Sequence, residues 1–148
     1  MKKRLFLSFC LIANGVFPVH ANNLPQPGKE NPIKIKMTIH QQSYDVELED
    51  NPTTKALIKR LPLTLTMQEL NGNEKFADLS STLPISPIGP GTIHEGELML
   101  YGRQTLVLFY QTFQTSYSYT SIGRIIASDT LQNTVGHSNI SVNFSMVE

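Results

Sequence analysis

From residue 33 the chain alternates between apolar and polar positions. Ile33, Ile35, Met37 and Ile39 are separated by Lys34, Lys36 and Thr38, and beyond a turn at residues 40–43 Tyr44, Val46 and Leu48 are separated by Asp45 and Glu47. Successive side chains of a strand point to opposite faces, so this period of two predicts a hairpin with one buried face. The pattern then changes. Asn51 before Pro52 reads as a helix N-cap with proline at the first helical position, and Ala56, Leu57 and Leu61 form an apolar stripe. Lys59 and Arg60 suit the negative end of the helix dipole before Pro62 stops the helix. Leu63, Leu65 and Met67 alternate with Thr64 and Thr66, Asn71-Gly72-Asn73 is a turn signal, and a short strand is expected around residues 75–79. Residues 80–92 read as loop, broken by Pro84, Pro87, Gly89, Pro90 and Gly91. Glu97–Tyr101 and residues 105–110, joined by a Gly102-Arg103-Gln104 turn, are apolar on both faces, as interior strands are. Residues 116–126 are rich in Tyr, Thr and Ile with a break at Gly123. Ser128 can cap a short helix ending at Gly136, and Ile140, Val142 and Phe144 alternate in a closing strand. The expected fold is mainly β, with about eight strands and two short helices. A closed or nearly closed barrel follows because closure removes exposed strand edges.

The segment before residue 33 has no such alternation. Lys2, Lys3 and Arg4 precede an apolar run over residues 5–13, and Val19-His20-Ala21 has the −3 and −1 residues of a cleavage site. Residues 1–21 therefore read as a signal peptide, with a mature chain expected to begin at Asn22 and to reside in the periplasm or outside the cell. The apolar run is shorter than the ~20 residues a spanning helix needs, and no second run follows, so no membrane span is expected. Cys10 lies inside that run after bulky Phe9, which argues against a lipid anchor. With Cys10 removed, no cysteine remains for a disulfide, a thiolate nucleophile or a thiolate metal site. Residues 22–32, with Pro25, Pro27, Gly28 and Pro32, hold too few apolar groups to pack and read as a flexible tether to a single domain over residues 33–148.

Composition narrows the function classes. A chain that is 40% hydrophobic and 16% charged is neither disordered, collagen-like nor a charged coiled coil. Without the signal segment nine Lys and Arg face twelve Asp and Glu, a balance of about −3 that makes nucleic acid an unsuitable partner.

From Ile33 onward the chain resembles the cyclophilin-like domain family of bacteria, small barrels akin to cyclophilins. The resemblance is carried by Glu49-Asp50-Asn51-Pro52-Thr53, Leu61-Pro62-Leu63, Leu70-Asn71-Gly72-Asn73-Glu74-Lys75 and Gly91-Thr92-Ile93 in the first half. In the second half it is carried by Gly96-Glu97-Leu98-Met99-Leu100-Tyr101, Leu106-Val107-Leu108-Phe109-Tyr110, Ser116-Tyr117-Ser118-Tyr119-Thr120 and Ile122-Gly123-Arg124-Ile125. It implies a cyclophilin-like β-barrel over nearly the whole domain. Against cyclophilins proper, Gly89-Pro90-Gly91 is similar to the turn before the central strand, and Ile122-Gly123-Arg124-Ile125 to a strand reading Phe-Gly-Lys-Val. The departures concern function. Cyclophilins carry a Phe-His-Arg motif whose guanidinium hydrogen-bonds the substrate as its prolyl peptide bond twists. The corresponding region here reads Thr64-Leu65-Thr66-Met67-Gln68-Glu69, without arginine, and the chain has no tryptophan for the groove. Gln68 is the polar residue there that can contact a ligand. The mature arginines are Arg60, Arg103 and Arg124.

Several groups invite chemistry and have plainer explanations. His94-Glu95-Gly96-Glu97 offers nitrogen and oxygen ligands, yet strand alternation sends His94 and Glu95 to opposite sides and the spacing is that of a solvated turn, so no metal site or cofactor is expected. His40 lies in a hairpin turn and His137 follows a helix stop, which makes both surface residues. Asn139-Ile140-Ser141 and Asn143-Phe144-Ser145 match glycosylation acceptors but fall on an expected strand. No Gly-x-Ser-x-Gly elbow occurs. Phe113, Tyr117 and Tyr119 are the most suggestive cluster. They can wall an apolar groove with hydroxyls at its rim, or the two tyrosines can share a strand face and pack on the core. Arg124 can reach a carboxylate ligand or pair with an acid on the next strand. The expected function is a non-enzymatic module binding a peptide or small ligand. The alternatives are a divergent prolyl isomerase and a structural barrel without a groove.

Overall fold

The computed structural model of the chain describes residues 30–148. The proposed signal peptide and most of the tether lie outside them. The first hairpin pairs β1 (Lys34–Ile39) with β2 (Gln42–Leu48), and its two-residue turn uses His40 and Gln41, both at positive φ, whose twist matches that of the strands. Helix α1 (Pro52–Ile58) begins where the sequence places it. Asn51 Oδ1 accepts a hydrogen bond from the Thr54 N–H at 2.9 Å, and the Asn51 N–H donates back to Thr54 Oγ1 at 3.4 Å. The helix stops one turn earlier than the apolar stripe suggests. Arg60, placed by the sequence near the helix dipole, instead donates to the carbonyls of Ser81 and Thr82 at 2.8 and 2.6 Å and pins the long loop.

The remaining elements are β3 (Leu63–Leu70), β4 (Glu74–Asp78), β5 (Thr92–Ile93), β6 (Glu97–Tyr101), β7 (Thr105–Phe109), β8 (Phe113–Gln114), β9 (Thr120–Ile125), α2 (Leu131–Val135) and β10 (Ile140–Met146). Eight strands close into an antiparallel barrel in the order β1-β10-β3-β4-β7-β6-β9-β2, and β5 and β8 pair separately. Gly123 is required where β9 meets β2, because a Cβ there would sit 2.3 Å from the Glu47 carbonyl oxygen. The cap of α2 corrects the sequence expectation. Thr130 rather than Ser128 occupies the N-cap, without a side-chain bond, while the Ser128 carbonyl accepts the Leu131 N–H at 2.9 Å.

Two apolar clusters explain why β6 and β7 read as apolar on both faces. Ile35, Met37, Val46, Leu98, Leu106 and Phe144 belong to the barrel interior. On the outside, Met99, Val107 and Phe109 pack with Ile93 of β5 and with Tyr119. A charged group also enters the interior. Lys75 is fully buried, and its ammonium donates to Glu69, to Gly136 O at 2.9 Å and to Ser138 O at 2.7 Å, which satisfies all three protons. Tyr110 O–H donates to the same carboxylate at 2.6 Å and the Gly72 N–H at 2.9 Å. Burial works to raise the Glu69 pKa, but the bonds from Lys75 and Tyr110, the lysine charge and the Gly72 amide outweigh it and hold the carboxyl below the usual range. The cluster ties β3, β4 and the link between α2 and β10 into one end of the barrel.

Candidate functional site

Three barrel strands lend their outward faces to one cleft. On β4 the alternation that turns Lys75 and Ala77 inward presents Glu74, Phe76 and Asp78 on the other side; β7 adds Thr105 and Val107, and Tyr101 stands at the end of β6. The chain between β8 and β9 folds over this face. It is held there because the Tyr119 N–H donates to Ile88 O at 2.9 Å, the Ile88 N–H donates to Tyr119 O at 2.8 Å, and the Thr115 N–H donates to Gly91 O at 2.8 Å. The open cleft has a volume of about 680 Å³, enough for a small organic molecule or a few peptide residues.

Aromatic rings run in an unbroken series from the rim of the cleft through the buried Phe109 and back to its wall. Tyr117 meets Tyr101 edge-on at 6.1 Å between centroids, Tyr101 lies 5.7 Å from Tyr119, Tyr119 meets Phe109 at 5.4 Å, and Phe109 lies 5.6 Å from Phe113. Such edge and tilted contacts fix ring orientation. The two tyrosines singled out from the sequence differ sharply in burial: Tyr119 is 5% exposed and part of the outer cluster, whereas Tyr117 is 62% exposed at the rim. They do not share a buried strand face, because β9 begins only at Thr120.

The polar lining is acidic. Glu74 is partly buried, and desolvation together with the nearby Glu69 charge pushes its carboxyl above the usual range. Burial and the charge of Glu74, which shares the cleft lining with Tyr119, likewise raise the Tyr119 hydroxyl. Asp78, at the far end of β4, accepts from Thr105 Oγ1 at 2.6 Å. Asn73 Oδ1, at the Glu74 end, is buried without a hydrogen-bond partner among the described residues. No Lys, Arg or His is among the residues that line this cleft.

The described barrel begins in β1 and closes in β10, and a family model described as the cyclophilin-like family matches residues 37–145, from one of these strands to the other. The chain belongs to the cyclophilin-like family. The cyclophilin-like domain is similar in fold to a hypothetical protein from Archaeoglobus fulgidus whose solution structure is known. The TM-score is 0.51 at 14% identity, covering 82% of this chain and 100% of that one. Comparison with curated proteins finds no match.

Of the residues singled out in the sequence, Phe113, Tyr117 and Tyr119 all line the cleft of this cyclophilin-like domain. Gln68 lies on β3 opposite Phe76, exposed and outside the lining. Arg124 lies on β9 between Glu47 of β2 and Glu97 of β6, in a separate depression that His94 and Glu95 also border. His94-Glu95-Gly96-Glu97 is a turn in which the His94 N–H donates to Glu97 Oε2 at 2.8 Å. Among the described residues, no three or more His, Cys, Asp or Glu side chains gather as a metal site, and no helix is long and apolar enough to cross a membrane. Sequence reasoning missed Glu74, Asp78 and Tyr101. The available signal was the alternation of Glu74, Phe76 and Asp78 across Lys75 and Ala77, which sets two acids and a ring on one face.

Proposed function

We propose that this is an exported, non-enzymatic cyclophilin-like protein whose outer cleft binds a peptide segment or a small organic ligand. The observation that carries the reading is the aromatic cleft itself: a preformed space of about 680 Å³ whose rim rings, Tyr101 at 48% and Tyr117 at 62% exposure, remain uncovered. Prolyl isomerisation calls for a donor that stabilises the twisted amide. Each arginine of the domain is engaged or sited elsewhere: Arg60 holds the loop, Arg103 lies in the turn between β6 and β7, and Arg124 borders another depression. Export rests on the charged, apolar and small-residue pattern of residues 1–21.

The test is an amide chemical-shift screen of the chain from Asn22 against small fragments and short peptides, run beside a protease-coupled assay on a proline tetrapeptide. Ligand-dependent shifts at Phe113, Thr115, Tyr117 and Tyr119 with turnover near the uncatalysed background are expected. Turnover comparable to an active cyclophilin would overturn the non-enzymatic reading, and shifts confined to other faces would overturn the cleft.

A further inference from the structure

Charge and aromatic surface meet in the cleft in a way that selects a ligand class. Glu74 and Asp78 leave the same face of β4 four residues apart, roughly 13 Å at the usual rise of a strand, with the Phe76 ring between them. Neither acid has a cationic partner within 4.0 Å among the described residues, since Lys75 points to the opposite face and is taken up by Glu69. The same cleft is lined by Tyr101, Tyr117 and Tyr119, whose ring faces attract a positive charge through the ring quadrupole. Beyond the ridge made by Tyr101 and Tyr117 lies a second depression of about 380 Å³, floored by Ile85, Pro87 and Leu100, where an apolar group can rest.

We infer that the cleft takes an organic cation, an alkylammonium or guanidinium head on an apolar stem, with the head on Glu74 beside the tyrosines, Asp78 adding to the negative field, and the stem across the aromatic ridge. This rests on the reading of the cleft as a binding site and names its ligand chemistry. An anion would face two carboxylates with no compensating cation, and a neutral apolar ligand would desolvate Glu74 without return. A cation satisfies the half-buried carboxylate and uses the rings as well. The same head occurs on a free organic cation and on a lysine side chain in a peptide, and the two are separable by experiment.

The experiment titrates the chain from Asn22 with 4-phenylbutylammonium, its neutral analogue 4-phenylbutanol and its anionic analogue 4-phenylbutyrate, following amide shifts of Phe113, Thr115, Tyr117 and Tyr119. A parallel arm uses acetylated leucyl-lysyl-phenylalanine amide and the same tripeptide with norleucine for lysine. Charge-assisted hydrogen bonds give the cationic member of each set an affinity about tenfold or more above its neutral analogue. Glu74→Gln is expected to abolish that preference while leaving the neutral analogue's affinity unchanged. Asp50→Asn, which removes an equal charge from the exposed start of α1, retains it. Preference in the tripeptide arm alone identifies the source as a peptide, and preference in both arms admits the free cation. Equal or tighter binding of the neutral or anionic probes at these amides would overturn the cationic inference while leaving the binding reading intact. An absence of any shift there with every probe would overturn both.

Discussion

Replacing Glu69 by glutamine keeps the shape of the side chain and removes the charge that balances a fully buried ammonium. Lys75 would retain the carbonyls of Gly136 and Ser138 at 2.9 and 2.7 Å, but its positive charge would have no counter-ion in the barrel end. Breaking a buried pair in this way costs about 3–5 kcal/mol; Glu69 keeps 20% side-chain exposure, so water can reach it and the lower end, about 3 kcal/mol, is expected. Lys75→Met removes the charge and leaves two carbonyls unpaired, each costing about 1–3 kcal/mol, offset by the desolvation no longer required. The double variant should therefore be less destabilised than the sum of the single ones by at least about 1 kcal/mol. Urea unfolding followed by tyrosine fluorescence measures all four corners of the cycle. The pH dependence adds a second check. Because the folded Glu69 pKa is depressed, its stabilisation is present above the ordinary carboxylate range and is lost as pH falls through the folded value. Glu74, whose folded pKa is raised, acts in the opposite sense and loses stability as pH rises through that value; desolvation, the larger cause, is common to both proteins, and only the smaller part due to the Glu69 charge is removed in Glu69→Gln. The gap between the wild type and Glu69→Gln should therefore hold from about pH 7 down to the ordinary carboxylate range and narrow below it, toward about pH 3. A cost below about 0.5 kcal/mol, strictly additive singles or a gap independent of pH would refute the account of the cluster.

Three further outcomes follow from the geometry. Asn51→Ala should lower stability by about 1–2 kcal/mol, read as a lower urea midpoint, since it removes the cap on Thr54 and the 2.8 Å bond that Asn51 Nδ2 donates to Ser121 O. Gly123→Ala should cost about 2 kcal/mol or more, with weakened hydrogen-exchange protection in β2 and β9, because the new methyl meets the Glu47 carbonyl at 2.3 Å. Tyr117→Ala should shift the unfolding free energy by less than about 0.5 kcal/mol, while Tyr119→Ala costs about 3 kcal/mol or more, and equal effects would show that the rim and the core are wrongly divided.

The parts of the fold legible in the sequence are those governed by a local period. Ile35, Met37 and Ile39 repeat every second residue and do face the interior, and Asn51-Pro52 starts a helix because capping involves only residues within one turn. Lys75 shows where locality ends. An alternating strand with a lysine reads as having that residue in solvent, and what makes its burial tolerable comes from Glu69, Gly136 and Ser138, two of them more than 60 positions away. The cleft was half legible for a similar reason. Phe113, Tyr117 and Tyr119 stand out as aromatic residues in a polar loop, whereas Glu74 and Tyr101 join them only through the pairing of β4 with β7 and of β7 with β6. Strands β5 and β8, two residues each, are too short to leave a periodic signal, although Phe113 owes its position to their pairing.

The five residues of β4 serve two compartments at once. Shifting their pairing by a single position would carry Lys75 into the aromatic wall and press Glu74, Phe76 and Asp78 into an interior already filled by Leu106 and Leu108 of the neighbouring strand. The plug at the barrel end and the negative sign of the outer cleft are therefore one choice of register seen from its two sides. A change of register in this strand would alter the charge of the cleft and the stability of the barrel together, and the two are separable only by substituting outward positions while leaving the inward lysine in place.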